Sequence, residues 1–576
     1  MDELPTVSSY ESENEIVASF RTTHSSRFIL FVHGKYRKFS ILFMKLHKKI
    51  NELFESYTAV ATMKISAVIL IIPLATAMID GEMDLVLVHG VWRHGDRSPT
   101  RTFPTDPIQE VDWTFGGGGF GQLSPKGMAQ HLKFGKLLRK LYVDTGFLSK
   151  KYSSREVYIR STDVNRTIIS AMSNMLGMYG QNDGSSQAGV DYPDETGWPL
   201  GYVPIPVHIV EFRTDHIGNP DAECKRMSLL WEMAKASPEL QTFQKRPDVS
   251  EKLNLLFSHQ LLGAKKMVTL GLQVLELLHQ LTEYCGQTID IDNLWSIRDV
   301  LFIEQIHKNA TLRAKNKWFT DDLFNKITDV NNQITLYRNG VYNRTLMMNN
   351  LDIGQEIQKV KGGSLFNDIN SRMSTKLDCI NSASPKCIWI KPLKYYVYSA
   401  HDTTVYAFLS VMGIEERVVW PNGFPAYSAG VFIELWMNRT DNQPYFKLLY
   451  HKNGLNDTLN PITHFIGVCG STAVYCKLDV FRNFAARTKP DESMETWCNM
   501  DPRNPSTSLW TLSSIGMVTF KSPLRVQFVP LKFPKITELF DQTKLVRHTI
   551  TTMVERVRYG TSSAEMIITD VVNYAI

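Results

Sequence analysis

The sequence predicts an α/β protein, built as a doubly wound, mostly parallel sheet with a helical insert domain. Three observations lead to this fold class. The nearly continuous apolar run Met83–Trp92 lacks the alternation of a half-exposed strand and is typical of a strand buried on both faces. Amphipathic helices and short apolar strands then alternate, as in doubly wound sheets. Between residues 205 and 384, strand-like runs become scarce and leucines recur at helical spacing, which predicts the insert.

The first elements after that strand have clear boundary signals. A helix is predicted over residues 124–142, because Ser124 is a good N-cap and Pro125 suits the first helical position. A short strand, Glu156–Arg160, leads into the turn at residues 161–163. A second helix with apolar side chains at helical spacing follows this turn. The order strand, helix, strand, helix favours parallel pairing.

Sheet character returns after the insert. Two apolar runs, Cys387–Ile390 and Lys394–Ser399, predict strands, and the helix after them is closed by Gly413. Two later runs, at residues 430–436 and 445–450, predict a closing hairpin.

A chain of 576 residues is too long for one compact domain. The shifts in pattern divide it as follows: an upstream extension (1–62), a signal-peptide-like segment (63–77), an α/β domain in two segments (82–204 and 385–504), a helical insert domain (205–384) and a C-terminal extension (505–576).

The segment MKISAVILIIPLATAM at residues 63–78 has the charge, apolar core and small-residue end of a secretory signal peptide. Its apolar run is shorter than the roughly 20 residues that a membrane span needs. Met63 is therefore a candidate translation start; the alternative is a buried core segment of an N-terminal domain. Export predicts a secreted, lysosomal or otherwise lumenal protein, and a membrane becomes a partner only if this segment stays uncleaved.

Cysteine usage agrees with export, since disulfides persist in oxidising compartments. Two closely spaced pairs, at 379/387 and 469/476, could each close a local loop, and the odd total leaves at least one thiol over. The seven cysteines are Cys224, Cys285, Cys379, Cys387, Cys469, Cys476 and Cys498. Candidate glycosylation sites are Asn309, Asn343, Asn438 and Asn456.

Composition excludes one class of function. The formal net charge is only +5, and no long run of Lys or Arg occurs, so nothing indicates a nucleic-acid partner. An anionic substrate is compatible with this charge.

Three polar clusters follow predicted strands at the points where the strands end. Because ligands of open parallel sheets bind at the carboxyl ends of the strands, these clusters should converge on one site. The candidate site residues are Arg93, His94 and Arg97 after the first strand, Arg166 in the second helix, and His401 and Asp402 after the late strand.

Three arginines and two histidines suit a tetrahedral oxyanion, since guanidinium groups offer paired donors to phosphate. His94 could attack phosphorus and form a phosphohistidine, while the arginines neutralise the phosphoryl oxygens. Asp402 could protonate the leaving alcohol and then accept a proton from the hydrolytic water. The sequence has no Walker loop or zinc-type spacing, so we expect neither a metal nor a nucleotide cofactor.

The run Arg93–Pro99, RHGDRSP, together with His401-Asp402 resembles the histidine acid phosphatases, above all their animal prostatic and lysosomal branch. The likeness covers roughly residues 82–500. It implies a histidine phosphatase-like fold and acid hydrolysis of small phosphomonoesters or phosphoproteins through a phosphohistidine intermediate. Family members are often dimers, which makes a homodimer a hypothesis here. By this resemblance His94 is the nucleophile, Asp402 the acid, and the phosphate ligands are Arg93, Arg97, Arg166 and His401.

The resemblance also bears on the cysteines. A bridge common in the family, between the insert and the strand after His-Asp, is missing, because the regions near Ile303 and Ser428 lack cysteines. Family bridges correspond to Cys224–Cys498 and Cys469–Cys476, which leaves Cys379–Cys387 as the preferred third pair and Cys285 spare.

Other interpretations stay open at this stage. Arg166 could be a surface helix residue, His401 a structural histidine and Asp402 a helix cap. The phosphohistidine could serve phosphoryl transfer rather than hydrolysis, although secretion argues against the usual cytosolic mutase substrates. A third hypothesis is a catalytically silent, secreted phospho-ligand-binding glycoprotein on the same scaffold.

Overall fold

The computed structural model describes residues 8–12, 15–21, 27–33, 83–180, 182–241, 262–342, 346–420 and 422–503. These all belong to one compact unit, Met1–Pro505. The predicted signal-like segment, the C-terminal extension and the sequon at Asn343 lie outside the described residues. Within the described ranges, no helix combines the length and hydrophobicity that a membrane crossing requires.

The strands, numbered in chain order, are β1 (Ser8–Ser12), β2 (Glu15–Arg21), β3 (Arg27–His33), β4 (Met83–Arg93), β5 (Val157–Thr162), β6 (His208–Val210), β7 (Met347–Met348), β8 (Leu351–Asp352), β9 (Tyr395–Ala400), β10 (Gly430–Asn438), β11 (Pro444–His451), β12 (Asn460–Pro461) and β13 (Cys476–Lys477).

The α-helices are α1 (Pro125–Leu138), α2 (Asn165–Tyr179), α3 (Lys225–Lys235), α4 (Pro238–Gln241), α5 (Leu262–Cys285), α6 (Leu294–His307), α7 (Asn309–Lys315), α8 (Asp321–Arg338), α9 (Ile353–Gln358), α10 (Ser364–Cys379), α11 (Asp402–Met412), α12 (Glu415–Val419), α13 (Leu478–Arg487) and α14 (Met494–Asn499). Single π-helical turns extend α1 and connect α9 to α10.

The main sheet has the strand order β12-β11-β10-β4-β9-β5-β6, and β13 pairs with β11. Strands β4, β9, β5 and β6 run parallel, whereas β10 is antiparallel to both β4 and β11. The predicted hairpin therefore forms one side of the sheet and the parallel strands form the other. This mixed sheet confirms the predicted α/β fold class. Strands β1–β3 form an antiparallel sheet of their own.

Strand β4 lies in the middle of the sheet and contributes to the cores on both faces. Leu87 and Val91 pack on one face with side chains from α10 and α11. Val88 and Trp92 pack on the other face with side chains from α1 and α2. All four side chains are fully buried. Helices therefore cover both faces, which is the doubly wound arrangement that the unbroken apolar run predicted.

Helices between β6 and β9 form a further apolar core, to which α3, α5, α6, α8 and α9 all contribute. This is the predicted helical insert. Helix α10, within the same predicted range of residues 205–384, packs instead against the core of the main sheet. The exact domain boundaries remain predictions.

Two predicted helix boundaries depend on single residues. The Ser124 side chain accepts a hydrogen bond from the Gly127 N–H at 3.0 Å, so it caps the first turn of α1 as its position predicted. Gly413 has φ 68° and closes α11 in the left-handed conformation, which a residue without Cβ adopts at little cost.

The predicted strand at Cys387–Ile390 is wrong. Pro385–Cys387 forms a 3-10 turn, and Trp389 is 57% exposed. Only Ile390 of the apolar trio that follows Cys387 is fully buried. The disulfide between Cys379 and Cys387 ties this segment to the end of α10, so the chain turns here before it enters β9.

The three predicted disulfides are all present: Cys224–Cys498, Cys379–Cys387 and Cys469–Cys476. Cys285 is a buried free thiol. At the position of the missing family bridge, Ile303 of α6 packs with Tyr427, Ile108 and Trp113 in a small apolar cluster. Apolar contact therefore joins the insert to this part of the sheet.

Candidate active site

Parallel pairing brings two of the predicted clusters side by side. In the register of β4 and β9, Arg93 lies opposite Ala400, and the His94 N–H donates to the Ala400 carbonyl at 3.0 Å. His94 and His401 therefore leave the sheet as neighbours, with ring centroids 5.7 Å apart. Strand β5 pairs with β9 on the other side and places Thr162 Oγ1 3.0 Å from His401 Nε2.

His94 is buried, and one ring nitrogen has a clear partner. Its Nδ1 lies 2.8 Å from the Gly95 carbonyl oxygen; since a carbonyl only accepts, Nδ1 carries the proton and Nε2 the lone pair. Burial, followed by the charges of Arg166, Arg93 and Arg97, holds the pKa of His94 well below its usual value. The ring is thus neutral, with one basic nitrogen at the cavity that His94 lines.

The loop that carries His94 packs closely on the neighbouring helices. The Gly95 N–H donates to Ser170 Oγ of α2 at 3.0 Å. A Cβ at Gly95 would lie 2.4 Å from the Gly127 carbonyl oxygen of α1, closer than two such atoms can approach, so this position requires glycine. His307 Nε2 of α6 lies 2.7 Å from Asp96 Oδ1, which fixes the loop from the insert side.

Arg97 is held by a residue that sequence reasoning missed. Its Nη1 and Nη2 donate to the two carboxylate oxygens of Asp299 at 3.0 and 3.1 Å, the paired geometry that orients a guanidinium. Burial opposes the charged form of Arg97, but Asp299 and Tyr427 outweigh it and raise the pKa of Arg97. Asp299 lies within α6, and no motif in the sequence distinguishes it from a surface acid.

Arg93 is tied to Asp402. The Arg93 Nη2 atom lies 2.8 Å from Asp402 Oδ2, its Nη1 donates to the Pro425 carbonyl at 2.7 Å, and its guanidinium packs over the Tyr427 ring at 4.2 Å. Asp402 is the first residue of α11, and its Oδ1 accepts a hydrogen bond from the Thr403 N–H at 2.8 Å. Asp402 lines the cavity, whereas Arg93 lies behind the lining.

Arg166 and His401 form the third side of the site. Arg166 Nη2 lies 3.5 Å from His401 Nδ1, and Arg166 makes no ion pair with any other residue that the structure describes. Burial, with the charge of Arg97 next, lowers the pKa of Arg166 to about 9. Burial also lowers the pKa of His401 well below its usual value, and Arg166 adds to this effect.

The site opens into a cavity of about 500 Å³ between the sheet and the insert. The residues that line this cavity include His94, Arg97, Arg166, His401 and Asp402. Five of the six predicted site residues therefore meet at one cavity, and the sixth, Arg93, supports Asp402 from behind. In the part of the chain that the structure describes, no group of three or more His, Cys, Asp or Glu side chains is arranged to hold a metal ion.

Fold and site together have the features of an α/β phosphatase, because arginines and histidines surround a cavity at the carboxyl ends of parallel strands. The chain belongs to the histidine phosphatase superfamily, branch 2, whose family model matches residues 84–451. Within that superfamily it is a member of the histidine acid phosphatase family.

Known relatives cover most of the chain. It is 31% identical to "Putative acid phosphatase 10" of Caenorhabditis elegans over 436 residues, which cover 75% of this chain and 98% of that protein. It is 31% identical to human prostatic acid phosphatase over 373 residues, which cover 64% of this chain and 78% of the relative. Among solved structures, the apo form of Hafnia alvei phytase aligns with a TM-score of 0.45 and 14% identity, over 73% of this chain and 99% of that one.

Proposed function

We propose that this protein is an acid phosphatase that hydrolyses phosphate monoesters through a phosphohistidine on His94. The observation that carries the proposal is the state of the His94 ring. Nδ1 donates to the Gly95 carbonyl oxygen at 2.8 Å, which leaves the Nε2 lone pair available to attack phosphorus. The low pKa of His94, caused first by burial and then by the arginines, keeps this nitrogen unprotonated in acid.

The arginines supply the binding site for the phosphoryl group. Arg97 and Arg166 line the cavity, and their Nε–H groups are buried without an acceptor among the described residues, as is that of Arg93 behind the lining. A buried donor without an acceptor costs free energy. Phosphate oxygens would satisfy donors of this kind and spread their negative charge over the guanidinium groups.

The reaction has two steps in this proposal. His94 Nε2 forms a bond to phosphorus, the bond from phosphorus to the ester oxygen breaks, and Asp402 gives its proton to the leaving alcohol. Water then attacks the phosphohistidine; Asp402 takes a proton from this water, the N–P bond breaks, and inorganic phosphate leaves. Asp402 and His94 are then back in their starting protonation states.

His401 would bind the phosphoryl group from the side. Its Nε2 lies 3.0 Å from Thr162 Oγ1, and a hydroxyl can either donate or accept. Without a ligand, Arg166 Nη2, which can only donate, lies 3.5 Å from Nδ1, so the proton of His401 is on Nε2 and is donated to Thr162 Oγ1. When phosphate takes the place of the Arg166 donor, Thr162 can donate to Nε2 instead, and the neutral ring then donates from Nδ1 to a phosphate oxygen.

The setting in the cell belongs to the same proposal. Three disulfides suit the secretory pathway, and prostatic and lysosomal acid phosphatases are among the relatives. We infer a secreted or lysosomal glycoprotein whose substrates are small phosphomonoesters or phosphoproteins, and which could act as a homodimer. Asn309 is exposed and available for glycosylation.

The test is hydrolysis of an aryl phosphate between pH 4 and pH 8 without added metal. We expect activity in acid that falls by at least about a thousandfold in His94→Ala, since removal of a nucleophile has effects of that order. The control is His279→Ala, because the His279 side chain is 77% exposed on α5. Rapid quenching in base should trap a phosphorylated protein with the wild type only.

Two results would contradict the proposal. His94→Ala with wild-type activity would exclude the nucleophile. A folded wild type that binds phosphate but hydrolyses no ester would favour the silent phospho-ligand-binding glycoprotein.

A further inference from the structure

One face of α6 forms part of the cavity wall. Trp295, Arg298 and Asp299 lie three and four positions apart, so they share this face, and all three line the cavity. Asp299 is occupied by its two hydrogen bonds to Arg97. Trp295 and Arg298 have no such role in the phosphate site described above.

Arg298 is a half-buried cation whose Nε–H has no acceptor among the described residues. It forms no hydrogen bond or ion pair with any residue that the structure describes, its guanidinium packs on the Phe302 ring at 4.9 Å, and its Nε–H is buried and unsatisfied. Burial lowers the pKa of Arg298 more than the nearby Asp299 raises it. Partial removal of a cation from water is costly unless an anion compensates it, and Asp299, the carboxylate that acts most strongly on Arg298, is already bonded to Arg97.

Arg101 is the second unpaired cation of this wall. It packs over the Trp295 ring at 5.0 Å and makes no ion pair with the described residues. Trp295 itself is 37% exposed. Two other cations that line the cavity already have carboxylate partners: Lys361 bonds to Asp221 and Arg338 bonds to Asp292.

We propose that Arg298 and Arg101, around Trp295, form a second anion subsite for the leaving group of the substrate. The inference rests on the proposed function, which places the scissile phosphate beside His94 in the same cavity. A volume of about 500 Å³ leaves room for a leaving group beyond that phosphate. Preferred substrates are therefore phosphomonoesters whose leaving group carries its own carboxylate or second phosphate, with an apolar part that can lie on Trp295.

The test measures binding, so it does not depend on turnover. Calorimetry gives the Kd of three phosphonates that cannot be hydrolysed: 4-carboxybenzylphosphonate, its uncharged 4-carbamoyl counterpart, and 1,4-xylylene bisphosphonate. We expect the wild type to bind at least one of the two charged compounds about tenfold more tightly than the uncharged one, the size of a hydrogen bond between charged groups. The compound with the larger preference identifies carboxylate or phosphate as the second anion.

Arg298→Gln should remove most of this preference and change the Kd of the uncharged compound by less than about threefold. Arg313→Gln is the matched control, because it removes one positive charge from an exposed position on α7; it should keep the preference.

Equal binding of all three compounds by the wild type, or equal weakening of all three in Arg298→Gln, would overturn the subsite. If Arg298→Gln fails to fold, the exposed Arg101→Gln decides: a reduced preference supports the subsite, and an unchanged one overturns it. Loss of hydrolysis with intact binding preference would contradict only the proposed reaction.

Discussion

Asp299 of the helical insert holds Arg97, in the loop after the central strand, through two parallel hydrogen bonds of 3.0 and 3.1 Å. The two side chains are mostly buried. The insert therefore supplies more than a cover over the cavity, since it orients a guanidinium that lies next to His94 in the cavity wall.

Replacement of Asp299 by Asn should weaken phosphate binding and destabilise the fold. The variant leaves Arg97 buried without its counter-charge, and breaking a buried ion pair in this way costs about 3–5 kcal/mol. We expect kcat/KM to fall about tenfold and the inhibition constant of inorganic phosphate to rise. The control is Asp322→Asn, whose side chain is 77% exposed and pairs with Lys326 at the surface. Unchanged phosphate affinity in Asp299→Asn would show that Arg97 needs no such support.

Replacement of Asp402 by Asn should affect substrates according to their leaving groups. Asparagine cannot donate a proton to an alcohol, and general acid catalysis is worth about 10²–10⁴ in rate. We expect kcat to fall within this range for an alkyl phosphate and much less for 4-nitrophenyl phosphate, whose leaving group needs no proton. Asp163→Asn, an exposed acid just before α2, is the control. An equal loss for both substrates would mean that Asp402 only positions Arg93.

Glu304 should make the fold more stable in acid. It is fully buried on α6, and burial, followed by the charge of Asp106, raises the pKa of Glu304 from 4.5 to about 10. The folded protein holds this carboxyl neutral, whereas the unfolded chain ionises it above about pH 4.5. Its contribution to stability is therefore fully present below that pH and is lost as the pH rises towards about 10.

Glu304→Gln stays neutral at every pH and tests this effect. We expect its Tm to match the wild type near pH 4.5 and to exceed it by several degrees near pH 8. The exposed Glu495→Gln on α14 should show no such trend. A difference in Tm that does not change with pH would contradict the assigned protonation state.

The disulfides should differ in their contribution to stability. Cys224–Cys498 joins residues separated by 274 positions, whereas Cys469–Cys476 spans only 7. Chain entropy in the unfolded state then makes removal of the long bridge about 3 kcal/mol more costly than removal of the short one. Thermal unfolding of the two double Cys→Ala variants checks this order. Equal losses would mean that native contacts, and not loop length, dominate.

Much of the architecture was predictable because its signals are local. The apolar run of β4, the N-cap Ser124 and the closing Gly413 each act within a few residues, and each forms the predicted structure. Convergence of His94 and Asp402 followed from a general property of parallel sheets.

Other features depend on tertiary contacts and leave no trace in the sequence. Asp299 and Arg298 are adjacent charged residues in an ordinary helical pattern, and only the placement of α6 against the loop after β4 gives them their separate environments. The prediction of a strand at Cys387–Ile390 failed for a different reason, because the local signal was present but the tertiary structure overrode it. The composition of this run favours a strand, but a disulfide and a turn at that point prevent strand pairing.

Long sequence separations within the site have a consequence for how the protein is made. Arg97 bonds to Asp299, 202 positions later in the chain, and Thr162 bonds to His401, 239 positions later. During synthesis the ribosome releases the chain from the N-terminus, so the loop with His94 emerges long before Asp402 exists. Contacts between distant positions also form slowly. The candidate site should therefore assemble only after Asp402 has been synthesised and these late contacts have formed, and any truncation before Asp402 should give a protein without it.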